Sequence, residues 1–449
     1  MPERLFGTDG IRGKAGHYPL DEKTVEAIGR SLVKNLTEDI GRAPSVILGR
    51  DTRESGPQIE NALARGAIKA GARVESAGVI TTPGVAFITL RESFDAGVVI
   101  SASHNPYEDN GIKVFSPSGK KLSDEMERRI ESDLSTVEAI GAIDFDPAHP
   151  SSSETHRSLY ADHLVNQVGR GLSLEGMRIG LDCANGAASA IAPQVFARLG
   201  AKTVVICASP DGRNINEGCG SLHLEKLQRL VVDRELNLGI AFDGDADRAL
   251  MVDERGALVD GDHELLILAR LRQNENRLSG NTVVSTVMSN IGLELALRHH
   301  GIEMIRAQVG DRFVLEEMLR RGSNIGGEQS GHIIFPDISL AGDGIVTAIE
   351  MLRAVADFHQ PLSELASELK KFPQVLVNAR VSRKPPIESM PAVVAEIQKI
   401  EDEMQGRGRL LVRYSGTENL ARVMIEGEDQ AFIEEQAHHL ADVIRQSTG

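Results

Sequence analysis

A pattern of strand, helix, glycine and strand occurs three times in this chain, and it constrains the fold more than any other feature. Short apolar runs at 45–49, 177–182 and 282–286 each lead into an amphipathic stretch, a glycine and a second apolar run. Short β-branched runs are typical of buried parallel strands, and the stretches between them follow the helical period. Each repeat therefore predicts a β-α-β unit.

The glycine after each predicted helix fits the position just beyond a helix end, where the backbone needs a positive φ. Gly71, Gly200 and Gly301 are 129 and 101 residues apart, a domain-sized spacing that is too long for a solenoid repeat. We therefore predict an α/β fold with three related α/β domains. Their sheets are expected to be mixed and mostly parallel, with right-handed crossovers.

The C-terminal part of the chain lacks this repeat and predicts a smaller α+β domain. A length of 449 residues suggests about three domains as a prior, and the different C-terminal pattern adds a smaller fourth. We expect the four domains to surround a central cleft. The predicted bounds are 1–155, 156–258, 259–370 and 371–449. The polar stretch 144–156 predicts the linker between the first two domains.

Charge and cysteine content restrict the partners and the compartment. The formal net charge of −16 argues against binding to nucleic acid or to anionic membranes, because phosphate backbones require Lys and Arg. Cys183, Cys207 and Cys219 form no C-x-x-C pair, which fits a reducing compartment. No secretory signal is evident, and no apolar run has the roughly 18 residues of a membrane span. A cytoplasmic enzyme or binding protein is expected.

The segment 96–115 carries an apolar strand directly into the sequence Ser-Ala-Ser-His-Asn-Pro. Ligand sites in open α/β sheets lie at the carboxyl ends of strands, which is where this polar cluster falls. An ordinary Ser/Asn/Pro turn is the alternative. The neighbours Ser103 and His104 do not indicate a hydrolase, because no G-x-S-x-G surrounds the serine.

A second strand ends in three aspartates at alternate positions, Asp243, Asp245 and Asp247. Like charges 4 Å apart repel by about 4 kcal/mol at an effective dielectric constant of 20. A divalent cation removes that cost, and Mg²⁺ prefers oxygen ligands. A solvated acidic turn is the alternative. A calcium loop ending at Glu254 is excluded, because Arg248 stands where that loop needs glycine.

The third polar segment contains Glu328, Ser330 and His332, separated by single residues. On one side of an extended loop, these three side chains suit the hydroxyl groups of a sugar. A plain hairpin turn is the alternative.

The fourth polar segment is a small-residue loop between two strands. Its hydroxyls, backbone N–H groups and flanking guanidinium groups predict an anion cradle, and in an acidic chain this indicates a phosphate. A β-turn with incidental arginines is the alternative. The residues of the predicted cradle are Arg413, Ser415, Gly416, Thr417 and Arg422.

Taken together and in this order, the motifs FGTDGIRG, SASHNPYEDNGIK, DGDADR, GEQSGH and RYSGTEN resemble those of the α-D-phosphohexomutase family, essentially end to end. The resemblance implies that Ser103 is phosphorylated. It also implies one Mg²⁺ per chain, held by Ser103 and the three aspartates. The N-terminal motif and GEQSGH favour an enzyme acting on glucosamine phosphates over relatives acting on mannose or glucose phosphates.

The resemblance further implies two phosphoryl transfers. Phosphoserine gives its phosphoryl group to glucosamine 6-phosphate or glucosamine 1-phosphate, which forms glucosamine 1,6-bisphosphate. The bisphosphate then returns its other phosphoryl group to the serine. The same bisphosphate also serves as activator. The product supplies UDP-N-acetylglucosamine and cell-wall synthesis. Arg12, His104, Lys113 and Arg248 are candidate catalytic residues, with Lys113 as the proton-transfer group. Glu328, Ser330 and His332 would bind the sugar.

Several alternatives stay open at the level of the sequence. Within the family, the chain could be a phosphomannomutase or phosphoglucomutase. Outside it, the acidic motif and the serine loop would also suit a metal-dependent sugar-phosphate phosphatase, or a sugar-phosphate sensor without catalysis. We also expect that a kinase could phosphorylate Ser103 initially. The protein is expected to be a monomer or a homodimer.

Overall fold

The computed structural model describes residues 5–7, 9–134, 150–404, 406–415 and 419–449. The chain divides into two compact units. The first comprises Met1–Met288 and Ile302–Ser367, and the second comprises Ser289–Gly301 and Glu368–Gly449. Four sheets are present in the described residues, three in the first unit and one in the second.

The first sheet has five strands in the order β1-β5-β4-β2-β3. Strands β4, β2 and β3 are parallel, whereas β5 and β1 are antiparallel additions at one edge. The elements are β1 Ile11–Lys14, α1 Glu22–Ile40, β2 Ser45–Arg50, α2 Gly56–Lys69, β3 Arg73–Val79, α3 Thr82–Arg91, β4 Ala96–Ile100, β5 Asp109–Phe115 and α4 Asp124–Leu134.

The second sheet has the same plan, with the order β10-β9-β8-β6-β7. Again three strands are parallel and the two at one edge are antiparallel. The elements are α5 Pro150–His163, β6 Arg178–Asp182, α6 Ala192–Arg198, β7 Lys202–Ile206, α7 Glu225–Asp233, β8 Leu238–Phe242, β9 Ala249–Asp253 and β10 Leu258–Val259.

The third sheet is smaller and has the order β12-β11-β13-β14, with only β14 antiparallel. The elements are α8 Gly261–Asn274, β11 Thr282–Thr286, α9 Ile291–His299, β12 Glu303–Ala307, α10 Asp311–Arg321, β13 Gly326–Gly327, β14 Ile333–Ile334, α11 Gly344–Phe358 and α12 Leu362–Ala366.

The fourth sheet is entirely antiparallel, in the order β15-β17-β16, and helices α13 and α14 complete its separate apolar core. The elements are β15 Gln374–Arg380, α13 Pro391–Met404, β16 Gly408–Tyr414, β17 Leu420–Gly427 and α14 Gln430–Thr448. Three α/β sheets followed by an α+β piece confirm the predicted fold class, whereas the predicted domain bounds stay a prediction.

The repeated pattern is confirmed at its strands and glycines. Gly71, Gly200 and Gly301 all have a positive φ, as expected just beyond a helix end. The helix predicted in the second repeat is broken, because a 3₁₀ turn at Ala187–Ala190 precedes α6. The chain leaves the helical conformation at Ile191, which has φ −120° and ψ −52°. At the start of the 3₁₀ turn, the N–H of Ala187 donates to the carbonyl of Gly244.

The predicted linker at 144–156 is wrong in its described part. Residues 150–156 form the start of α5, with Pro150 at a helix start, where its missing N–H costs nothing. Residues 144–149 lie outside the described residues. Within the described part of the chain, every helix is too short or too polar to cross a bilayer.

Candidate active site

Ser103 lies just beyond β4 in an unusual backbone conformation, with φ at 53°. Left-handed φ values are unfavourable for a residue other than glycine, so surrounding contacts must hold them. The carbonyl oxygen of Ser103 accepts hydrogen bonds from Nη2 of Arg53 at 3.0 Å and from Nδ2 of Asn216 at 2.9 Å. Its N–H donates to Oγ of Ser101 at 2.9 Å. The serine is therefore held by its backbone, which leaves its hydroxyl for chemistry.

The acidic loop follows β8 of the second sheet. Asp243, Asp245 and Asp247 are at most 4% exposed, and one oxygen from each lies within 4.8 Å of the others. The hydroxyl of Ser103 donates a hydrogen bond to Oδ2 of Asp243. The structure thus brings together the carboxyl ends of strands from two different sheets.

The charges of the acidic loop are incompletely balanced by the described residues. Burial raises the pKa of Asp243 well above its ordinary value, and the carboxylates of Asp247 and Asp245 raise it further. The Oδ1 atoms of Asp245 and Asp247 are buried without a hydrogen-bond partner among the described residues. Buried carboxylate oxygens without partners are costly. These hard oxygen ligands fit Mg²⁺.

Lys113 is the cation closest to this loop, and it is 1% exposed. Its Nζ lies 2.9 Å from Oδ2 of Asp245, 3.1 Å from Oδ2 of Asp247 and 3.2 Å from Oδ2 of Asp9. Burial lowers the pKa of Lys113, but the three carboxylates outweigh it and hold that pKa well above its ordinary value. In this environment the lysine is protonated and can donate a proton. It could act as a base only if the interactions with the three carboxylates were lost.

A cavity of about 460 Å³ opens beside the acidic loop. Residues from the first, second and third sheet regions line it, so the structure gathers side chains that are far apart in sequence. Six of the predicted site residues are among them, namely Arg12, His104, Asp247, Arg248, Glu328 and His332.

The pKa values of the two histidines that line this cavity are shifted in opposite directions. Burial lowers the pKa of His104 to about 4, and the positive charges of Arg248 and Arg12 contribute, so the imidazole is neutral at pH 7. Its Nδ1 lies 3.4 Å from Oγ of Ser103. Burial also lowers the pKa of His332, but interactions with Asp247 outweigh burial and raise it.

The predicted sugar loop is a tight turn, so the expectation of an extended loop with three side chains on one side is wrong. The N–H of Glu328 donates to the carbonyl of His332 at 3.0 Å, which closes a hairpin between β13 and β14. Glu328 and His332 still reach the cavity. The hydroxyl of Ser330 lies 3.5 Å from Oε2 of Glu328.

In the second unit, the predicted anion cradle lies where β16 and β17 end. Arg413 and Arg422 are directly opposite each other in this antiparallel pair. Like charges in such positions repel, so a bound anion would stabilise them. Nζ of Lys384, which the sequence analysis did not single out, donates to the carbonyl of Ser415 at 2.7 Å. The predicted Gly416 and Thr417 lie outside the described residues.

Several side chains that support the site were missed from the sequence. Lys121 bridges Oδ1 of Asp9 and Oδ2 of Asp311, both at 2.5 Å, and so connects the regions of the first and third sheets. Arg53 pairs with Asp51 at 2.9 Å in a fully buried ion pair. A signal existed for Asp9, because it lies in the motif FGTDGIRG that carried the family resemblance. Arg53 and Lys121 lie in none of the quoted motifs.

Comparison with protein families gives the same assignment over nearly the whole chain. Models of the phosphoglucomutase/phosphomannomutase family match its alpha/beta/alpha domains I, II and III at 3–140, 158–256 and 260–372, and its C-terminal domain at 376–443. The chain therefore belongs to the phosphoglucomutase/phosphomannomutase family.

Among curated relatives, the phosphoglucosamine mutase of Solibacter usitatus is 49% identical over 450 residues, covering 100% of both chains. A solved phosphoglucomutase/phosphomannomutase family protein from Burkholderia thailandensis has the same fold, with a TM-score of 0.79, 22% identity and coverage of 100% of this chain and 98% of that one. The N-acetylphosphoglucosamine mutase of Aspergillus fumigatus, solved with GlcNAc-6P and magnesium, has a TM-score of 0.68 and 18% identity, covering 99% and 96%.

Proposed function

We propose that this chain interconverts glucosamine 6-phosphate and glucosamine 1-phosphate, using a phosphorylated Ser103 and a glucosamine 1,6-bisphosphate intermediate. The observation that carries the proposal is the contact between the Ser103 hydroxyl and Asp243 of the acidic loop. Full-length identity of 49% to a phosphoglucosamine mutase supports the choice of substrate. The reaction makes the enzyme an isomerase of the phosphotransferase type, one that supplies UDP-N-acetylglucosamine and cell-wall synthesis.

In the first transfer, the free hydroxyl of the sugar attacks the phosphorus of phosphoserine. The bond between phosphorus and Oγ of Ser103 breaks, a new phosphorus–oxygen bond forms on the sugar, and the hydroxyl proton passes to the protein. The bisphosphate then turns round, and its other phosphoryl group returns to Ser103. One Mg²⁺ per chain, held by Ser103 and the three aspartates, would neutralise charge on the transferring group.

The protein's own part in these steps is to position groups and balance charge. Phosphoserine carries a charge of about −1.5 to −2 at neutral pH. Arg12 and Arg248 line the cavity beside the acidic loop and would stabilise the negative charge of the phosphoserine. The neutral His104 lies within reach of Oγ of Ser103, and Lys113 can donate a proton but is a poor base in its carboxylate cage.

The sugar and the phosphate that does not react need separate contacts in both orientations. We assign ring hydroxyls to Glu328, Ser330 and His332, of which the first and last line the cavity. We assign the second phosphate to the loop after β16, with the opposed Arg413 and Arg422 as its main charges. Ser415, Gly416 and Thr417 complete that set.

The alternatives are less well supported. A preference for mannose or glucose phosphates would agree less well with curated relatives that are phosphoglucosamine mutases. A phosphatase would release inorganic phosphate as fast as it consumes sugar phosphate. A sensor would not need a phosphorylated serine.

Intact mass measurement gives the direct test. We expect purified protein to carry one additional phosphoryl group, and Ser103→Ala to lack it and to lose mutase activity. Ser118→Ala, which removes an exposed loop serine, serves as control and should retain both. An active Ser103→Ala variant, or a kcat/KM higher for glucose 6-phosphate or mannose 6-phosphate than for glucosamine 6-phosphate, would contradict the proposal.

The remaining parts of the proposal concern the cell. A bisphosphate activator would maintain the phosphorylated serine, and a kinase would prime it initially. Three free cysteines support a reducing, cytoplasmic location. The monomeric or homodimeric state stays a prediction.

A further inference from the structure

A second group of metal-binding side chains lies outside the proposed catalytic centre. Asp182 ends β6, Cys207 directly follows β7, and Cys219 lies in the loop before α7. One ligand atom from each lies within 4.8 Å of the others. Because β6 and β7 are parallel and pair Asp182 with Ile206, their ends bring the first two residues to one edge of the sheet.

The carboxylate of Asp182 lies buried beside the thiol of Cys207. The residue is 0% exposed, and its Oδ1 accepts a hydrogen bond from the N–H of Ala184 at 2.9 Å. Burial raises the pKa of Asp182, whereas the backbone of Ala184 and Gly220, the charge of Lys226 and the Cys207 side chain favour its charged form. A cation that replaced the thiol proton would bind this carboxylate oxygen directly and would balance its buried charge.

The two sulfur atoms determine which cation would fit. Thiolates are soft ligands that select Zn²⁺ over Mg²⁺, whereas the three-aspartate loop offers hard oxygens. With Zn–S bonds of about 2.3 Å, two sulfurs of a tetrahedral site lie about 3.8 Å apart. The observed grouping therefore needs only small side-chain adjustments. Cys219 is buried and Cys207 is half-buried, so the site has one side open to solvent.

We propose that Asp182, Cys207 and Cys219 bind a thiophilic divalent cation of the Zn²⁺ type, with a water molecule as fourth ligand. Binding would release the protons of the two thiols to solvent as the metal–sulfur bonds form. This inference stands apart from the proposed mutase reaction and does not depend on it.

The cation would restrain the segment that supports Ser103. The loop from Cys207 to Cys219 contains Asn216, whose amide Nδ2 donates to the carbonyls of Ser103 and Asn105 at 2.9 and 3.1 Å. Closing the loop at its two ends limits the positions open to Asn216. We therefore expect metal binding to raise the thermal stability of the protein even when no sugar phosphate is present.

Co²⁺ is a suitable spectroscopic probe, because thiolate ligands give it an intense charge-transfer absorption that carboxylates do not. The full-length protein, reduced and stripped of thiophilic metals, is titrated with Co²⁺ in excess Mg²⁺, which occupies hard oxygen sites. We expect one equivalent of Co²⁺ to produce the charge-transfer band, and one equivalent of Zn²⁺ to abolish it.

The variants make the assignment specific. Cys207→Ser should lose the charge-transfer band. Asp182→Asn should weaken Co²⁺ binding at least roughly 10-fold, because even the loss of a group that only supports a metal ligand has an effect of that size. Cys183→Ala, which removes a third nearby thiol, should retain the band. Cys207 is half-buried, so its variant remains informative even if Cys219→Ser fails to fold. Absence of the band in the native protein, its survival in Cys207→Ser, or a metal-free Cys207–Cys219 disulfide in protein purified without reductant would overturn the proposal.

Discussion

Backbone conformation at single residues positions the chemistry of this protein. Ser103, Asn216 and Ala246 all have φ between 53° and 59°, a range that costs a residue other than glycine about 1 to 3 kcal/mol. Each lies in a turn beyond or between strands, and each turn contributes to the same acidic centre. The contacts that hold these residues are therefore as important as the groups that react.

Removing the amide of Asn216 should lower kcat without unfolding the protein. Asn216→Ala deletes two hydrogen bonds to the carbonyls of Ser103 and Asn105, so the serine turn loses support on one side. We expect kcat to fall by about 10- to 100-fold, the cost of a displacement near 1 Å. Steady-state kinetics with a thermal melt would check this. Gln194→Ala removes an exposed amide elsewhere and should change neither quantity.

Charge removal in the C-terminal sheet should affect substrate binding more than the chemical step. Arg413→Gln leaves one guanidinium of the opposed pair, and a charge-assisted hydrogen bond contributes about 1.5 to 3 kcal/mol. We expect KM to rise about 10- to 100-fold. The neighbouring Arg407→Gln, which removes an exposed arginine paired with Glu428, is the control. An unchanged KM in Arg413→Gln would argue against phosphate binding there.

At the level of elements, the N-terminus of α11 supports the acidic loop. The N–H of Gly344 donates to the carbonyl of Ala246 at 3.0 Å, and a Cβ on Gly344 would lie 2.4 Å from the carbonyl oxygen of Arg248. Asp343 caps this helix and accepts a hydrogen bond from the hydroxyl of Tyr160 on α5 at 2.6 Å. Helix and loop therefore approach so closely that only glycine fits between them.

The cap of α11 should make stability depend on pH. Burial raises the pKa of Asp343 from about 3.8 to about 6, although the hydrogen bonds from Tyr160 and the backbone oppose this. The folded state therefore binds the proton more tightly than the unfolded state. The stabilisation from binding this proton is complete below the pKa that Asp343 has in the unfolded chain. It is lost as the pH rises through about 6, the pKa in the folded protein.

Asp343→Asn should remove this dependence. We expect the free energy of unfolding of the native protein, measured relative to the variant, to fall by about 2 kcal/mol between pH 4 and pH 7. Urea titrations at several pH values would measure the difference. Asp357→Asn removes an exposed carboxylate of the same helix and should leave the profile unchanged. Parallel profiles for Asp343→Asn and the native protein would contradict the pKa shift.

At the scale of the whole molecule, the chain contains two units with separate apolar cores. One core comprises residues of the first sheet and its helices, and another comprises residues of β15, β16, β17, α13 and α14. The acidic loop belongs to the first unit, and Arg413 and Arg422 belong to the second. Each unit buries its own hydrophobic residues, which is the usual requirement for independent unfolding.

Calorimetry should therefore resolve two transitions. Ile433→Ala removes a fully buried side chain of the second unit and should destabilise that unit alone by about 2 to 5 kcal/mol. Ile28→Ala is the matched change in the first unit. Mg²⁺ should raise the midpoint temperature of one transition only, the one whose midpoint Ile28→Ala lowers, because ligands stabilise the unit that binds them. A single transition that moves with both substitutions would show that the units unfold together.

Local patterns were sufficient for most of the elements. Strands β2, β6 and β11 lie within one residue of where the apolar runs predicted them, because hydrophobic spacing depends only on near neighbours. The continuous helix predicted in the second repeat was wrong, and so was the predicted linker in its described part, residues 150–156. The helix of the second repeat is interrupted at Ile191, and the turn before it is anchored by a hydrogen bond from Ala187 to Gly244. No local signal in the sequence reports such a distant partner.

The sequence by itself determined the fold class, the order of the loops and the chemical types of the site residues, since motifs and periodicity are local properties of the chain. Only the tertiary structure decided that Lys113 lies between Asp9, Asp245 and Asp247, that Asn216 supports Ser103, and that Arg413 faces Arg422. Burial and Coulomb interactions set the protonation of a group, and both depend on distances between residues that can be more than 100 positions apart in the chain.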